Sequence, residues 1–252
     1  MIVQIYEIQT AREAETMIEL GVDHVGSVLL SSDRGKDPEL KNTVRQVQAA
    51  GCKSSLIPLF GQIDAISRAV EFYQPDILHL CEILPGTTGN DSETERRLKG
   101  QRKLKERFPE LEIMRSIPIG RKGQGDVVPS LAYGMLFEPW SDWFLTDTLL
   151  IHDSQAKHHD QPVEGYVGIT GLTCDWEIAA ALVRQSRIPV ILAGGIGPRN
   201  VAQGILRVCP AGVDSCTLTN AVDDDGQARR FRKDPDKVKL MIQNARAATD
   251  KL

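Results

Sequence analysis

The feature that most limits the fold of this chain is a repeated alternation of short apolar runs with longer amphipathic stretches. The apolar runs are rich in Val, Ile and Leu, which is typical of strands buried on both faces of a parallel sheet. The amphipathic stretches carry helix-capping residues, such as Thr10 before the first helix and Gly21 after it. The alternation occurs eight times, and eight strand–helix units close most simply into a (β/α)8 TIM barrel.

The pattern also predicts where each element lies. We predict strands over Ile2–Ile8, His24–Leu30, Ser54–Leu59, Asp76–Cys81, Leu111–Ile117, Asp147–Ile151, Pro189–Ala193 and Gly212–Ser215. The helices are expected over Thr10–Gly21, Pro38–Ala50, Asp64–Tyr73, part of Pro85–Glu110, Val128–Glu138, Asp175–Gln185, a segment from near Asn200, and Pro235–Ala248. The length is close to the roughly 250 residues of one barrel, which predicts a single domain over residues 1–252. A doubly wound open sheet is the alternative, but no G-x-G-x-x-G follows the first strand.

Composition narrows the classes of partner. Apolar residues make up 41% of the chain, charged residues make up 25%, and the net charge is −4, as in ordinary globular proteins. The basic residues Arg229, Arg230, Arg232 and Lys233 are interrupted by Phe231, and we interpret them as a solvated loop rather than a nucleic-acid surface. No apolar run is long enough to span a bilayer, and the five cysteines include no C-x-x-C pair. We therefore expect a cytoplasmic protein with reduced thiols.

The segment Pro189–Asn200 predicts a phosphate site. Its strand ends at Gly194 and Gly195, where the backbone N–H groups can approach a ligand because these residues have no side chain. The next strand ends near Cys216 and Thr217, and the last two strand–helix turns of a barrel commonly bind phosphate together. The alternative is that the glycines serve turn geometry alone.

Four segments give the chain a recognisable resemblance. "GVDHVGSVL" followed by "SSDR", "GITGLTCDW", "ILAGGIGPRNV" and "AGVDSC" resemble, in the same order and spacing, strand ends of the phosphoribosylanthranilate isomerases of tryptophan biosynthesis. The resemblance extends over nearly the whole chain. It implies a (β/α)8 enzyme that performs an Amadori (aldose–ketose) isomerisation of a phosphorylated ribosylamine. It implies no metal and no organic cofactor.

The resemblance also implies roles for individual residues. Arg34 matches the arginine that pairs with the substrate carboxylate, although a surface loop arginine is the alternative. Asp153 matches the general acid, although a capping aspartate is the alternative, and Asp214 matches the aspartate of the eighth strand. Gly171 belongs to the predicted phosphate site, together with Gly194, Gly195, Cys216 and Thr217.

The chain departs from the family pattern at the general base. The family cysteine falls on Tyr6 and the following glycine on Glu7. Tyrosine has an ordinary pKa near ~10, so Tyr6 could act as a base only if its pKa were depressed. Glu7 could serve as the base if it points into the barrel mouth, although strand alternation places Gln4 and Tyr6, rather than Glu7, on the inner face. Glycines of the family pattern are also replaced, by Ile169 and by Leu218.

Three further residues are candidates for ligand contacts. His79 and Cys81 are two positions apart on the fourth strand, so both face the same way. With His152 or Asp153 and Cys216 they could form a catalytic zinc-type site, although buried His and Cys are more often only packed. Arg115 lies inside the fifth strand and must either reach the mouth, where it could bind an anionic ligand, or pair with an acid.

Three functions therefore remain open. The first is an isomerase that acts on a small phosphorylated metabolite, as a monomer or homodimer. The second is a barrel that binds a phosphorylated or acidic metabolite without isomerising it. The third is a different, metal-assisted reaction at His79 and Cys81. Tyr6 and Leu218 discriminate between them, because an isomerase needs a substitute base and a phosphate site that tolerates leucine.

Overall fold

Eight parallel strands close into a barrel in the order β1 to β8, which confirms the predicted (β/α)8 fold. The structure is a computed structural model and describes residues 1–32, 36–84, 92–124, 127–151 and 161–252. Pairing of β1 with β8 completes the ring. The strands are β1 Ile2–Ile5, β2 His24–Leu29, β3 Lys53–Pro58, β4 Ile77–Leu80, β5 Glu112–Ile119, β6 Trp143–Thr148, β7 Val190–Leu192 and β8 Gly212–Ser215.

Helices follow the strands and cover the outside of the barrel. They are α1 Ala11–Leu20, α2 Pro38–Ala49, α3 Ile63–Tyr73, α4 Ser92–Arg107, α5 Ser130–Phe137, α6 Trp176–Gln185, α7 Val201–Val208 and α8 Pro235–Thr249. The caps of α1 are those predicted: Thr10 and Glu13 form a reciprocal capping box, and Gly21 ends the helix with φ 87°. Asp175 caps α6 by accepting from the Glu177 N–H. No helix among the described residues has the length and apolarity to cross a bilayer.

Two strand predictions were wrong by three residues or more at one or both ends, whereas the others lie within two residues of the observed bounds. β1 ends at Ile5 rather than Ile8, because Glu7 adopts a left-handed backbone with φ 63°. β6 covers Trp143–Thr148 rather than Asp147–Ile151. Leu149 is apolar because it packs beyond the strand in the cluster that contains Phe137 of α5. The carboxyl end of β6 therefore lies at Asp147 and Thr148.

A hairpin that the sequence did not predict lies between β8 and α8. Strand β9 (Asn220–Val222) pairs antiparallel with β10 (Ala228–Lys233). The interpretation of the basic residues here as a solvated loop was wrong for two of them. The Lys233 ammonium donates to the Cys216 carbonyl at 2.7 Å, and Arg230 pairs with Glu7. The hairpin is thus fastened to the ends of β8 and β1.

The barrel interior combines an apolar centre with a small polar network. Ile77, Met114, Leu145 and Ile191 pack in one cluster with the Tyr6 ring. Other inward side chains are polar and are satisfied by one another, as buried polar groups must be, and Gln4 links His24 to Asp214 in this way. Most of the remaining apolar residues pack between the strands and the helices.

Candidate active site

The described part of the barrel mouth contains two small adjoining cavities at the carboxyl ends of the strands. The first has a volume of ≈ 50 Å³ and is lined by Tyr6, Glu7, His79, Cys81, Asp147 and Asp214 among others. The second, of ≈ 30 Å³, is lined by Asp147, Asp214 and the five predicted phosphate-site residues, Gly171, Gly194, Gly195, Cys216 and Thr217. The structure therefore brings together most of the residues that the sequence analysis singled out, and it adds Asp147.

Asp147 is the acid that the sequence analysis missed. It lies at the carboxyl end of β6, and its Oδ1 accepts a hydrogen bond from the Thr148 N–H at 2.8 Å. Gly168, with φ 105°, passes so close that a Cβ there would lie 2.1 Å from Asp147 Oδ2. Burial raises the pKa of Asp147 to about 7, and the Thr148 hydrogen bond opposes that shift. Near neutral pH both the protonated and the ionised forms of this carboxyl group are therefore populated.

Asp214 lies beside Asp147 at the end of β8. Its Oδ1 accepts a hydrogen bond from Gln4 Nε2 at 3.1 Å. Burial is the largest cause that raises the pKa of Asp214 to about 8, and the nearby Asp147 carboxylate adds to it. Because this pKa lies above neutral pH, the protonated form of Asp214 predominates there.

The opposite wall of the cavity is a chain of neutral hydrogen-bonded groups. The Tyr6 hydroxyl lies 2.5 Å from Ser55 Oγ and 2.7 Å from His79 Nδ1, and His79 Nε2 lies 2.8 Å from Ser116 Oγ. Burial raises the pKa of Tyr6 well above its usual value and lowers the pKa of His79 to about 3. The hypothesis of Tyr6 as a base needed a depressed pKa, and the structure shifts it in the opposite direction.

Gly26 makes room for the Tyr6 ring. A Cβ at Gly26 on β2 would lie only 2.1 Å from a carbon of that ring. No side chain fits such a space without displacing the tyrosine. The two residues therefore form one packing unit across β1 and β2.

Glu7 reaches the mouth although it does not follow the strand alternation. Gln4 and Tyr6 point into the barrel as predicted, and the left-handed turn at Glu7 redirects its carboxylate to the same cavity. Glu7 is only 1% exposed. Its Oε1 accepts from Arg230 Nε at 2.7 Å and Nη2 at 2.6 Å, and its Oε2 accepts from the Phe231 N–H at 3.1 Å. A buried carboxylate is thus matched with a guanidinium.

The predicted phosphate turn is closed by the protein itself. Gly194 and Gly195 both have positive φ, and a Cβ at Gly195 would lie 2.4 Å from the Leu172 carbonyl carbon. Asn200 fixes the turn by accepting from the Gly197 N–H and donating to the Gly195 carbonyl. Helix α7 begins at Val201, close to the predicted start. Turn geometry alone therefore explains why these positions are glycines. Phosphate binding in the small cavity beside the turn stays a prediction.

Two bulky residues narrow this region. Leu218 packs against Gly197, where a Cβ would lie 2.6 Å from the leucine Cβ. Ile169 has φ 61°, a conformation that is strained for a β-branched residue, and its side chain lines both cavities. The positions where the family pattern has glycines are therefore filled by side chains that reduce the open volume.

Arg115 does not lie at the mouth. It is 1% exposed and pairs with Glu82, with Nη1 2.6 Å from Oε2, and its guanidinium lies 4.8 Å from the centre of the Phe137 ring. Its neighbour Ser116 points into the barrel, so alternation turns Arg115 to the outer face. The prediction that Arg115 binds a ligand at the mouth was wrong; of the two alternatives, it pairs with an acid.

Three of the predicted site residues belong to segments that the structure does not describe. Arg34, His152 and Asp153 lie outside the described residues. His79 and Cys81 line one cavity, which confirms that they share a face, and burial raises the pKa of the Cys81 thiol. Within the described ranges no three or more His, Cys, Asp or Glu side chains are grouped so as to hold a metal ion.

Fold and site together define a (β/α)8 barrel with paired aspartates of raised pKa at its mouth. Comparison with known proteins agrees with this class. The family model of N-(5'phosphoribosyl)anthranilate (PRA) isomerase matches residues 147–244, from Asp147 into α8. Over this part of the chain, the sequence is homologous to the phosphoribosylanthranilate isomerases.

Individual relatives show how far the similarity extends. N-(5'-phosphoribosyl)anthranilate isomerase 2 of Methanosarcina mazei is 34% identical over 113 residues, which cover 44% of this chain and 42% of that protein. The Roseiflexus castenholzii isomerase is 44% identical over 86 residues, or 32% of this chain and 40% of that protein. The chain thus aligns with about two fifths of these curated relatives. The isomerase of Listeria monocytogenes is 23% identical over 98% of both chains.

Solved structures share the fold. Phosphoribosyl anthranilate isomerase from Thermotoga maritima superposes with a TM-score of 0.68 at 19% identity, over 98% of this chain and 100% of that one. A further solved structure of a phosphoribosyl anthranilate isomerase, in complex with reduced 1-(o-carboxyphenylamino)-1-deoxyribulose 5-phosphate, gives 0.65 at 19% identity over the same shares.

Proposed function

We propose that this protein is a phosphoribosylanthranilate isomerase-like enzyme of tryptophan biosynthesis. It acts in the cytoplasm on a small phosphorylated ribosylamine, as a monomer or homodimer, without an organic cofactor or metal. The observation that carries the proposal is Asp147, a carboxyl group with a pKa of about 7 at the end of β6 on this family's scaffold. An acid with this pKa donates and regains a proton efficiently at neutral pH.

Asp147 is proposed as the general acid in place of Asp153. It protonates the ring oxygen of the aminoaldose, so that the bond between this oxygen and the carbon bearing nitrogen breaks. The electron pair of nitrogen compensates, and a cationic imine forms. The neighbouring Asp214, with its raised pKa, keeps the acid side of the cavity from accumulating two charges.

Glu7 is proposed as the general base. It lines the same cavity as Asp147, and Arg230 and the Phe231 N–H hold its carboxylate in place there. It removes the proton from the carbon next to the imine, which yields the enamine that becomes the ketose product. Tyr6, a neutral phenol of raised pKa, serves to position His79 and to exclude water rather than to accept the proton.

Substrate binding is proposed to use both cavities. The phosphate lies against the N–H groups of the turn that contains Gly194 and Gly195, near Gly171, Cys216 and Thr217. The carboxylate pairs with Arg34. The open volumes of ≈ 50 and ≈ 30 Å³ are far below the several hundred Å³ of a typical ligand pocket, so binding requires Ile169 and Leu218 to move aside.

The test is turnover of phosphoribosylanthranilate, followed by the loss of substrate fluorescence. Wild-type protein is expected to be active and Asp147→Asn to lose that activity. Asp225→Asn is the matched control, because this aspartate is exposed in the β9–β10 turn. Full activity of Asp147→Asn would refute the assigned acid, and an inactive wild type would refute the isomerase function.

Two observations favour the second candidate, a barrel that binds a phosphorylated or acidic metabolite without isomerising it. The cavities are small, and the base position of the family is occupied by Tyr6 in a fixed hydrogen-bonded chain. This candidate predicts no turnover. It also predicts a rise in melting temperature with a non-reactive reduced substrate analogue, and this rise is expected to disappear when Gly171 is replaced by a bulky residue.

A further inference from the structure

A cleft outside the barrel lies between α3, α4 and the outer face of β4 and β5. Its volume is ≈ 250 Å³, several times that of either cavity at the mouth. Ile63 and Ile66 of α3 and Leu104 of α4 form apolar walls, and Arg97, Glu82 and Arg115 provide charged groups. The proposed isomerisation does not involve this cleft, and the residues that line it lie outside the range matched by the family model.

Arg115 is the most buried charge in the cleft. Its side chain is 1% exposed, and one of its nitrogens, Nη1, donates to Glu82 Oε2 at 2.6 Å. Its Nε is buried and has no hydrogen-bond partner among the described residues. A guanidinium carries five N–H donors, and leaving one unpaired in the interior is costly. This donor is therefore available to an acceptor that the described side chains do not provide.

Besides Arg115 of β5, two arginines of α4 reach the same cleft. Arg97 is 20% exposed. Its Nε lies 2.9 Å from Glu93 Oε1, whereas its Nη1 lies 3.4 Å from Glu82 Oε1, a long contact for a hydrogen bond. Gly61 lets this guanidinium approach, since a Cβ there would lie 3.1 Å from Nη1. Arg96 lies at the more exposed rim and pairs with Glu93. Among the described lining residues Glu82 is the carboxylate, and even with Glu93 counted the three arginines leave an excess positive charge.

We infer that the cleft between α3 and α4 is a second binding site, for a small anion that carries a carboxylate or a phosphate on a compact apolar body. The anionic group would accept from Arg97 and from the free donor of Arg115, since guanidinium groups bind both kinds of oxyanion in a bidentate manner. The apolar body would lie against Ile63, Ile66 and Leu104. The volume is close to the lower end of ordinary ligand pockets, which sets the size of the ligand.

The experiment is isothermal titration of the full chain with two probes, benzoate and phenyl phosphate. Saturable binding of one or both is expected, and the stronger probe identifies the anionic group. Arg97→Gln is expected to weaken it by about tenfold or more, the loss of one charge-assisted hydrogen bond. Arg102→Gln is the matched control, because Arg102 lies on the same helix and pairs with Glu106 in solvent.

The mouth must be separated from the cleft, because either probe could enter it. Replacement of Gly171 by a bulky residue is expected to block the phosphate site at the mouth. Binding that survives this replacement and is weakened in Arg97→Gln locates the site in the cleft. Arg115→Lys keeps the charge and is expected to weaken binding while the fold remains intact by circular dichroism. Absence of saturable binding, or equal affinity of Arg97→Gln and wild type, would overturn the proposal. Neither result depends on isomerase activity.

Discussion

Two walls of the barrel mouth face one small cavity. Burial moves the pKa values on one wall toward neutral pH and those on the other wall away from it. The acid side consists of Asp147 and Asp214, and the tyrosine side consists of Ser55, Tyr6, His79 and Ser116. Burial raises the pKa values of the two aspartates to about 7 and about 8. On the tyrosine side burial moves the pKa of His79 down to about 3 and that of Tyr6 upward.

The difference follows from the ordinary pKa of each group. Burial disfavours the charged form of every group. It therefore brings a carboxyl group toward neutral pH, but it moves a phenol or an imidazole away from it. The same desolvation makes one wall able to exchange protons and fixes the other as a neutral scaffold. The family model matches the chain from Asp147 onward, so the acid side lies within the matched region.

The strongest test of the comparison replaces one residue on each wall. Asp147→Asn is expected to lower kcat/KM by about a thousandfold, within the range for loss of a general acid. Tyr6→Phe is expected to lower it far less, because the phenol remains neutral throughout the reaction. Steady-state kinetics on phosphoribosylanthranilate measures both. A larger loss in Tyr6→Phe than in Asp147→Asn would reverse the assignment of the walls.

A second test concerns the packing of the tyrosine side. Gly26→Ala is expected to lower the free energy of unfolding by about 1–3 kcal/mol, the usual cost of overpacking, because the new Cβ meets the Tyr6 ring. Urea denaturation measures this loss. In a Tyr6→Ala background the same substitution should cost much less. An equal cost in both backgrounds would show that the clash is not with Tyr6.

A third test loosens the hairpin. Arg230→Gln leaves the buried Glu7 carboxylate without its guanidinium, so we expect a loss of about 1–2 kcal/mol, less than for a fully buried pair because Arg230 is 35% exposed. The Phe231 amide donates a hydrogen bond to Glu7, and its hydrogen exchange should become faster. Arg229→Gln, the exposed neighbour, is the control. Unchanged exchange in Arg230→Gln would mean that the ion pair does not hold the hairpin.

The smallest expected effect is a dependence of stability on pH. Asp147 and Asp214 have raised pKa values in the folded state, so the folded state binds more protons and stability falls as pH rises through 7 and 8. His24 and His79, with lowered pKa values, contribute in the opposite sense mainly below their ordinary value of 6.5. Between pH 6.5 and 8 we expect a net loss on the order of 1 kcal/mol.

Asp214→Asn provides the control for this titration. The amide cannot ionise and can still accept from Gln4. The variant should therefore lose less stability than wild type across the same range, measured by urea denaturation at each pH. An identical pH dependence in both proteins would show that Asp214 does not contribute to it.

Much of the fold could be predicted because its signals are local. Val, Ile and Leu runs, the Thr10 cap and Gly21 each act within a few residues. The errors occurred where distant contacts decide. Leu149 is apolar because it packs near Phe137 rather than because it lies in β6, and this displaced the predicted strand end past Asp147. The pattern "LTDT" after an apolar run was the signal that could have identified Asp147.

The site could be predicted only in part for the same reason. The positions of His79 and Asp214 follow from strand alternation and were found. Glu7 could not be placed, because nothing local requires a glutamate to adopt positive φ, and its partner Arg230 is 223 residues away along the chain. The hairpin was missed because β10 is rich in arginine and therefore has the composition of a loop. The residues that Arg230 and Lys233 contact, Glu7 and Cys216, are distant along the chain.

The contact between Gly26 and Tyr6 constrains how this sequence can change over time. As long as the tyrosine is present, position 26 admits no side chain, and once position 26 gains one the tyrosine no longer fits. The two substitutions therefore have a required order in either direction. Replacing Tyr6 by cysteine alone would leave a void beside Gly26 instead of restoring a packed first strand. Filling that void needs a further substitution, so the tyrosine is held in place by its neighbour as well as by its own hydrogen bonds.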